Sequence, residues 1–143
     1  MLSLKDSWEF WALSAGLFAA LTAIFIKVGI QNINADYAVF IRTLIILPLI
    51  AAFLIFTDQW QSPASWSSRT WLFLALSAIA TTASWISYFR ALKLGPVSQV
   101  APIEKISLVL VAVFGLMFLN EELSRQNWLG IVLVLIGVIL IGR

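Results

Sequence analysis

Long apolar runs and short polar breaks alternate along this chain, and the runs are long enough to be helices that cross a bilayer. About 20 largely apolar residues span the hydrocarbon core. Five stretches qualify or nearly do: about Trp8 to Ile30, Tyr37 to Thr57, Trp71 to Lys93, Val97 to Leu119 and Trp128 to Gly142. The fifth is short, so its ends belong close to the interface. The first is too long for the apolar core of a signal peptide and is followed by further spans, so it is expected to stay in place.

The breaks carry helix signals. Asn32, Asn34 and Asp36 lie between the first two runs, where caps are expected. Gly95 and Pro96 separate the third and fourth. Gly suits the left-handed position after a helix end and Pro the first turn of the next helix, which predicts a tight helical hairpin. The longest connection, Asp58 to Thr70, is polar and Ser-rich, and Asn120 to Asn127 carries Glu121, Glu122 and Arg125. An odd number of spans puts the termini on opposite sides. On that register Trp8, Trp11, Trp60, Trp66, Trp71 and Trp128 fall on the N-terminal side, and only Trp85 lies inside a span. Trp prefers the membrane interface, so the clustering supports five spans over four.

Composition agrees. Of 143 residues, 62% are apolar and 11% are charged, against about 25% charged in an average soluble domain. Mean hydropathy is +0.99. A soluble globular domain, a disordered tail and a nucleic-acid binder are excluded. An all-α polytopic membrane protein remains, read as one transmembrane domain over residues 1–143. The chain has no Cys and no His, which removes thiolate sites, the usual proton shuttle and the commonest metal ligand. No metal, cofactor or catalytic group is expected.

Orientation is finely balanced. Strict connections place Lys5, Arg69 and Arg125 on the N-terminal side and Lys93 and Arg143 on the other. Residues just inside the span ends add Lys27, Arg42 and Arg90 to the second side, which would make it cytoplasmic. The chain inserts in both orientations or has its C-terminus inside.

Charges inside spans are costly and default to functional candidates. Lys27, Arg42 and Arg90 lie shallow, and Glu104 and Lys105 lie roughly 10 Å or more deep at about 1.5 Å per residue. All five fall in one half of the bilayer. They form a candidate basic vestibule for an anion or anionic head group; snorkelling is the alternative for Lys27 and Arg90. Glu104 is expected to neutralise Arg42 or Lys27 on a neighbouring helix. Lys105, about 100° away on the same helix, should pair with it poorly.

Ser77, Thr81, Ser84 and Tyr88 recur at helical spacing along one face of the third span, with Trp85 beside them. That face could line a substrate path or pack through its hydroxyls. The large rings of Tyr88 and Trp85 suit ligand contact. Pro102 has no N–H, so the Ser98 carbonyl loses its helical partner, as Leu44 does to Pro48. A freed carbonyl in lipid must meet protein, water or a ligand. Gly16, Ala20 and Ala23 on the first span, and Gly130 and Gly137 on the fifth, read as helix-packing or dimer faces.

The stretch Ala91-Leu92-Lys93-Leu94-Gly95-Pro96-Val97-Ser98-Gln99-Val100-Ala101-Pro102-Ile103-Glu104-Lys105-Ile106-Ser107 is followed by Phe118-Leu119-Asn120-Glu121-Glu122-Leu123 and Asn127-Trp128-Leu129-Gly130-Ile131. Together they resemble the second part of an EamA domain, of the drug/metabolite transporter superfamily. Phe40-Ile41-Arg42 matches that family's early-helix arginine. Most members have ten helices in two inverted five-helix halves, so the resemblance implies that this chain is one half. It implies a homodimer as the working unit, favouring an antiparallel arrangement with the path between subunits. Related small multidrug exporters use a buried Glu in the first helix to exchange cations for protons. Here the first span has no carboxylate after Glu9.

These features lead to the expectation of a prokaryotic inner-membrane exporter or flippase for a small anionic or zwitterionic metabolite. The site residues would be Glu104, Lys105, Arg42, Tyr88, Trp85 and Lys27, with Ser77, Thr81, Ser84, Arg90, Ser98 and Pro102 lining the path. A non-transporting subunit of another complex, a small multidrug-type antiporter and an intramembrane enzyme are the rivals. The enzyme lacks obvious catalytic groups.

Overall fold

The computed structural model describes residues 7–142; Lys5 and Arg143 lie outside the described residues. The chain is an all-helical polytopic membrane protein. Helix α1 covers Trp8–Gly29, α2 Ala35–Phe56, α3 Ser68–Leu94, α4 Val97–Glu104, α5 Ser107–Leu119 and α6 Arg125–Ile141. Among the described residues, four stretches are long and apolar enough to cross a membrane, with α4 and α5 together forming the fourth, and α6 is a shorter apolar helix.

Helix starts follow capping chemistry. The Asn34 side-chain carbonyl accepts from the backbone N–H groups of Asp36 and Tyr37 at 2.9 and 3.0 Å. Ser67 accepts from the Thr70 N–H at 3.1 Å, which starts α3 three residues before Trp71. Ser124 accepts from the Asn127 N–H at 3.2 Å and starts α6 at Arg125. Each bond satisfies one of the orphan donors of a first turn. Asn34→Ala is expected to destabilise the chain by about 1 kcal/mol, read as a lower midpoint in thermal unfolding in detergent.

Two connections differ from the expected pattern. Gly95 does not take a left-handed conformation: among the described residues no glycine has positive φ, and the left-handed positions are Asp58 and Asn120. The cause is Pro96, whose ring pushes the preceding residue towards extended backbone. Pro96 itself is the N-cap of α4. The fourth span is also interrupted. Lys105 and Ile106 donate to the carbonyls of Pro102 and Ile103, three residues back, and α5 starts only at Ser107. Pro102 lies three residues before Lys105, and its carbonyl accepts the first bond of this tightened turn. By contrast α2 runs unbroken through Pro48.

The chain forms two compact units, one of them Ile26–Lys93 and the other joining the N-terminal part up to Phe25 with the part from Leu94 onward. In Ile26–Lys93, the buried apolar side chains are Ile26, Ile30, Ala35, Ala38, Val39, Phe89 and Leu92. They come from the end of α1, the start of α2 and the end of α3, so this unit is tightest where those three ends meet. Near the start of α3, the Trp66 and Trp71 rings meet at a tilt, 5.7 Å between centres, and the Arg69 guanidinium lies 5.8 Å from the Phe73 ring. In the other unit α6 packs against α4 and α5. Most remaining large apolar side chains are exposed, as expected where the neighbour is lipid.

Candidate functional site

Five of the charged residues of Ile26–Lys93, namely Lys27, Asp36, Arg42, Arg90 and Lys93, lie towards the start of α2 and the end of α3, whereas Asp58 and Arg69 lie at the opposite ends. Arg42 is the eighth residue of α2, about 10 Å along the helix. Trp85 and Phe89, four apart, share a face of α3. The Arg42 guanidinium carbon lies 4.3 Å from the Trp85 ring centre and 5.8 Å from that of Phe89. Phe89 is buried, while Arg42 and Trp85 are half-buried. Aromatic faces carry negative potential and hold a cation without neutralising it. Arg42 therefore rests on rings, and the expected pairing with a carboxylate is not its arrangement.

Arg90 has a carboxylate partner that the sequence pattern did not single out. Its Nε and Nη2 donate to the two oxygens of Asp36 at 2.8 and 2.7 Å, a bidentate pair. Asp36 lies in the first turn of α2, where a negative charge also suits the helix dipole. The sequence offered a signal, an acidic residue just inside a helix start, but that position was read only as a cap. Both members are substantially exposed.

Lys27 donates to the Leu92 carbonyl at 2.6 Å. In a continuing helix that carbonyl would accept from residue 96, which is Pro and has no N–H. Leu92 is fully buried, so Lys27 supplies a donor that water cannot reach. The ammonium also favours the negative end of α3. Lys93 donates to the Ile33 carbonyl in the connection between α1 and α2. These bonds, with Arg90–Asp36, tie the three helix ends of this unit together.

Glu104, Lys105, Ser98 and Pro102 belong to the other unit. Lys105 Nζ lies 2.8 Å from Glu104 Oε2, which corrects the expectation that Lys105 pairs with it poorly. The angular rule describes one regular rod with short reach. Here the helix ends at Glu104, and two long stems bend towards each other across the tightened turn. The pair is part-exposed and Ser98 is exposed.

Along α3, Thr82 and Ser87 return their hydroxyls to the carbonyls of Ala78 and Ala83. Ser77, Thr81 and Ser84 are exposed, and Tyr88 is half-buried. Among the described residues no such bond closes Ser77, Thr81 or Ser84. Their hydroxyls remain for water, a second copy or a cargo. Chemically, the unit Ile26–Lys93 offers an aromatic-held guanidinium beside a hydroxyl-bearing face, and the other unit offers an ion pair at a helix interruption.

Comparison with known proteins adds a family context. The profile of the EamA-like transporter family matches residues 6–143. A Sinorhizobium sp. protein named "Uncharacterized transporter in cobO 3'region" is 54% identical over 139 residues, covering 97% of this chain and 99% of that one. A Hamiltonella defensa protein named "Probable 4-amino-4-deoxy-L-arabinose-phosphoundecaprenol flippase subunit ArnE" is 32% identical over 87 residues, covering 61% of this chain and 77% of that one. The Bacillus subtilis "Uncharacterized transporter YwfM" is 23% identical, and its match takes in 99% of this chain but 52% of its own length. No solved structure matches.

Proposed function

Because this chain belongs to the EamA-like transporter family, we propose that it moves a small anionic or zwitterionic metabolite, or a phosphate-bearing lipid head group, across a bacterial inner membrane as a homodimer. It is an integral membrane transporter or flippase; cargo and assembly are the proposed parts. The observation that carries the cargo is Arg42, an intramembrane cation resting on two rings with no carboxylate beside it among the described residues. Lys27 adds positive charge to the same unit. The absence of a carboxylate in α1 after Glu9 argues against exchange of cations for protons. The Hamiltonella relative's name gives it an amino-sugar phospholipid cargo, which agrees with a zwitterionic or phosphate-bearing substrate here.

Assembly rests on different features. The match to about half of the Bacillus relative is what two copies replacing one longer chain would give. A Cβ added at Gly16, Gly130 or Gly137 would meet open space, so these small faces stay available to a second copy. Single cysteines introduced at Ser77 or Ser84 of the Cys-free chain are expected to cross-link as dimers in native membranes. Terminal reporters showing a single orientation would exclude the antiparallel form.

The relatives named as flippase subunits favour a second reading, a subunit that works with a different membrane chain. Proteoliposomes holding the purified protein alone decide between the two. Release of an anionic or zwitterionic solute faster than from protein-free vesicles is expected. Retention of every solute in the panel, with no flipping of a fluorescent phosphate-headed lipid between leaflets, would favour the subunit reading.

A further inference from the structure

We propose that Arg42 is the residue that selects the cargo, by presenting the N–H edge of its guanidinium to a carboxylate or phosphate oxyanion while Trp85 and Phe89 hold its face. This rests on the transport reading and makes its substrate class specific. The other cations at this end of the unit each have an oxygen partner within the protein: Asp36 for Arg90, the Leu92 carbonyl for Lys27 and the Ile33 carbonyl for Lys93. Arg42 meets ring faces instead. A ring attracts the charge but has no lone pair that could take the five N–H donors of a guanidinium. Those donors lie in the guanidinium plane, in a fork that matches two oxygens of one carboxylate or phosphate.

The rings also set the geometry. Phe89 is fixed by burial, and Trp85 stands one helical turn before it on the same face. A guanidinium held there is pre-organised, so less rotamer freedom is lost when an anion binds. Lysine cannot replace this arrangement: its ammonium is a point charge without a fork and stacks poorly on indole.

The test uses 15N-arginine-labelled protein in a neutral maltoside micelle, titrated separately with sodium acetate, sodium phosphate and dihexanoyl phosphatidylglycerol. The Arg42 Nε resonance is identified by its loss in Arg42→Lys. It is expected to move downfield and saturate with at least one probe, while the Arg90 resonance, already bonded to Asp36, stays in place as a control for the fold. Saturation by the lipid at the lower concentration identifies a head group as the source, and saturation by acetate or phosphate identifies a free solute. By calorimetry Arg42→Lys is expected to weaken the best probe at least about tenfold, and Trp85→Leu severalfold. An Arg42 resonance unmoved by all three probes, or moved equally by sodium chloride at matched ionic strength, overturns the proposal. So does wild-type affinity in Arg42→Lys. These readouts need no flux, so an Arg42 signal that responds in a protein that moves nothing would overturn the transport reading and with it the cargo role, leaving an anion-binding Arg42, whereas an unresponsive Arg42 in a protein that does transport would overturn this proposal alone.

Discussion

Glu104→Gln and Lys105→Ala are each expected to abolish transport while leaving the amount of protein in the membrane unchanged. The two side chains form an ion pair at 2.8 Å where the fourth span is interrupted between α4 and α5. Removing either charge leaves the other without its partner inside a span. The pair is part-exposed, so the expected loss is read in flux and not in folding stability. The tightened turn is where the backbone departs from a regular helix, and such interruptions are frequent at transporter sites. Exchanging the two residues, Glu104→Lys with Lys105→Glu, keeps the pair and reverses its order. Partial recovery in the exchange is expected if the pair itself matters. Wild-type uptake in both single variants would remove Glu104 and Lys105 from the site.

The second large effect is on stability. Lys27→Met is expected to destabilise the protein by about 1–3 kcal/mol, the cost of a buried polar group left without a partner. The group in question is the buried Leu92 carbonyl, to which Lys27 donates at 2.6 Å and to which residue 96, a Pro, has no N–H to offer. Pro96→Ala restores an N–H at that place, so Lys27→Met combined with Pro96→Ala should regain much of the loss. Unfolding in mixed micelles, followed by circular dichroism, measures all three variants. Equal stability of Lys27→Met and wild type, or no recovery in the double variant, would mean that Lys27 does not serve this carbonyl.

The helices were legible because hydropathy in a membrane reports length directly, and Asn34 announced its helix start by residue type. The interruption of the fourth span had a readable cause in Pro102, but not a readable place. Proline removes a hydrogen bond four residues back, whereas the chain tightens after it, at Lys105 and Ile106. Gly95 misled because the glycine rule was applied without the constraint that Pro96 imposes. The pairing of Arg90 with Asp36 spans 54 residues and depends on which helix ends meet, which no periodicity within one helix encodes. Arg42 and Trp85 were each legible as unusual residues in spans. Their contact was not, because it depends on how α2 and α3 pack, which the periodicity of neither helix encodes.

The sign of the cargo is the central claim, and efflux from proteoliposomes tests it most directly. Vesicles containing the purified protein are loaded with a small carboxylate and an amine of similar size, and the release of both is followed in the same sample. The account predicts faster release of the carboxylate than from protein-free vesicles, with the amine retained, and loss of the carboxylate signal in Arg42→Lys. Release of the amine with the carboxylate retained would contradict it.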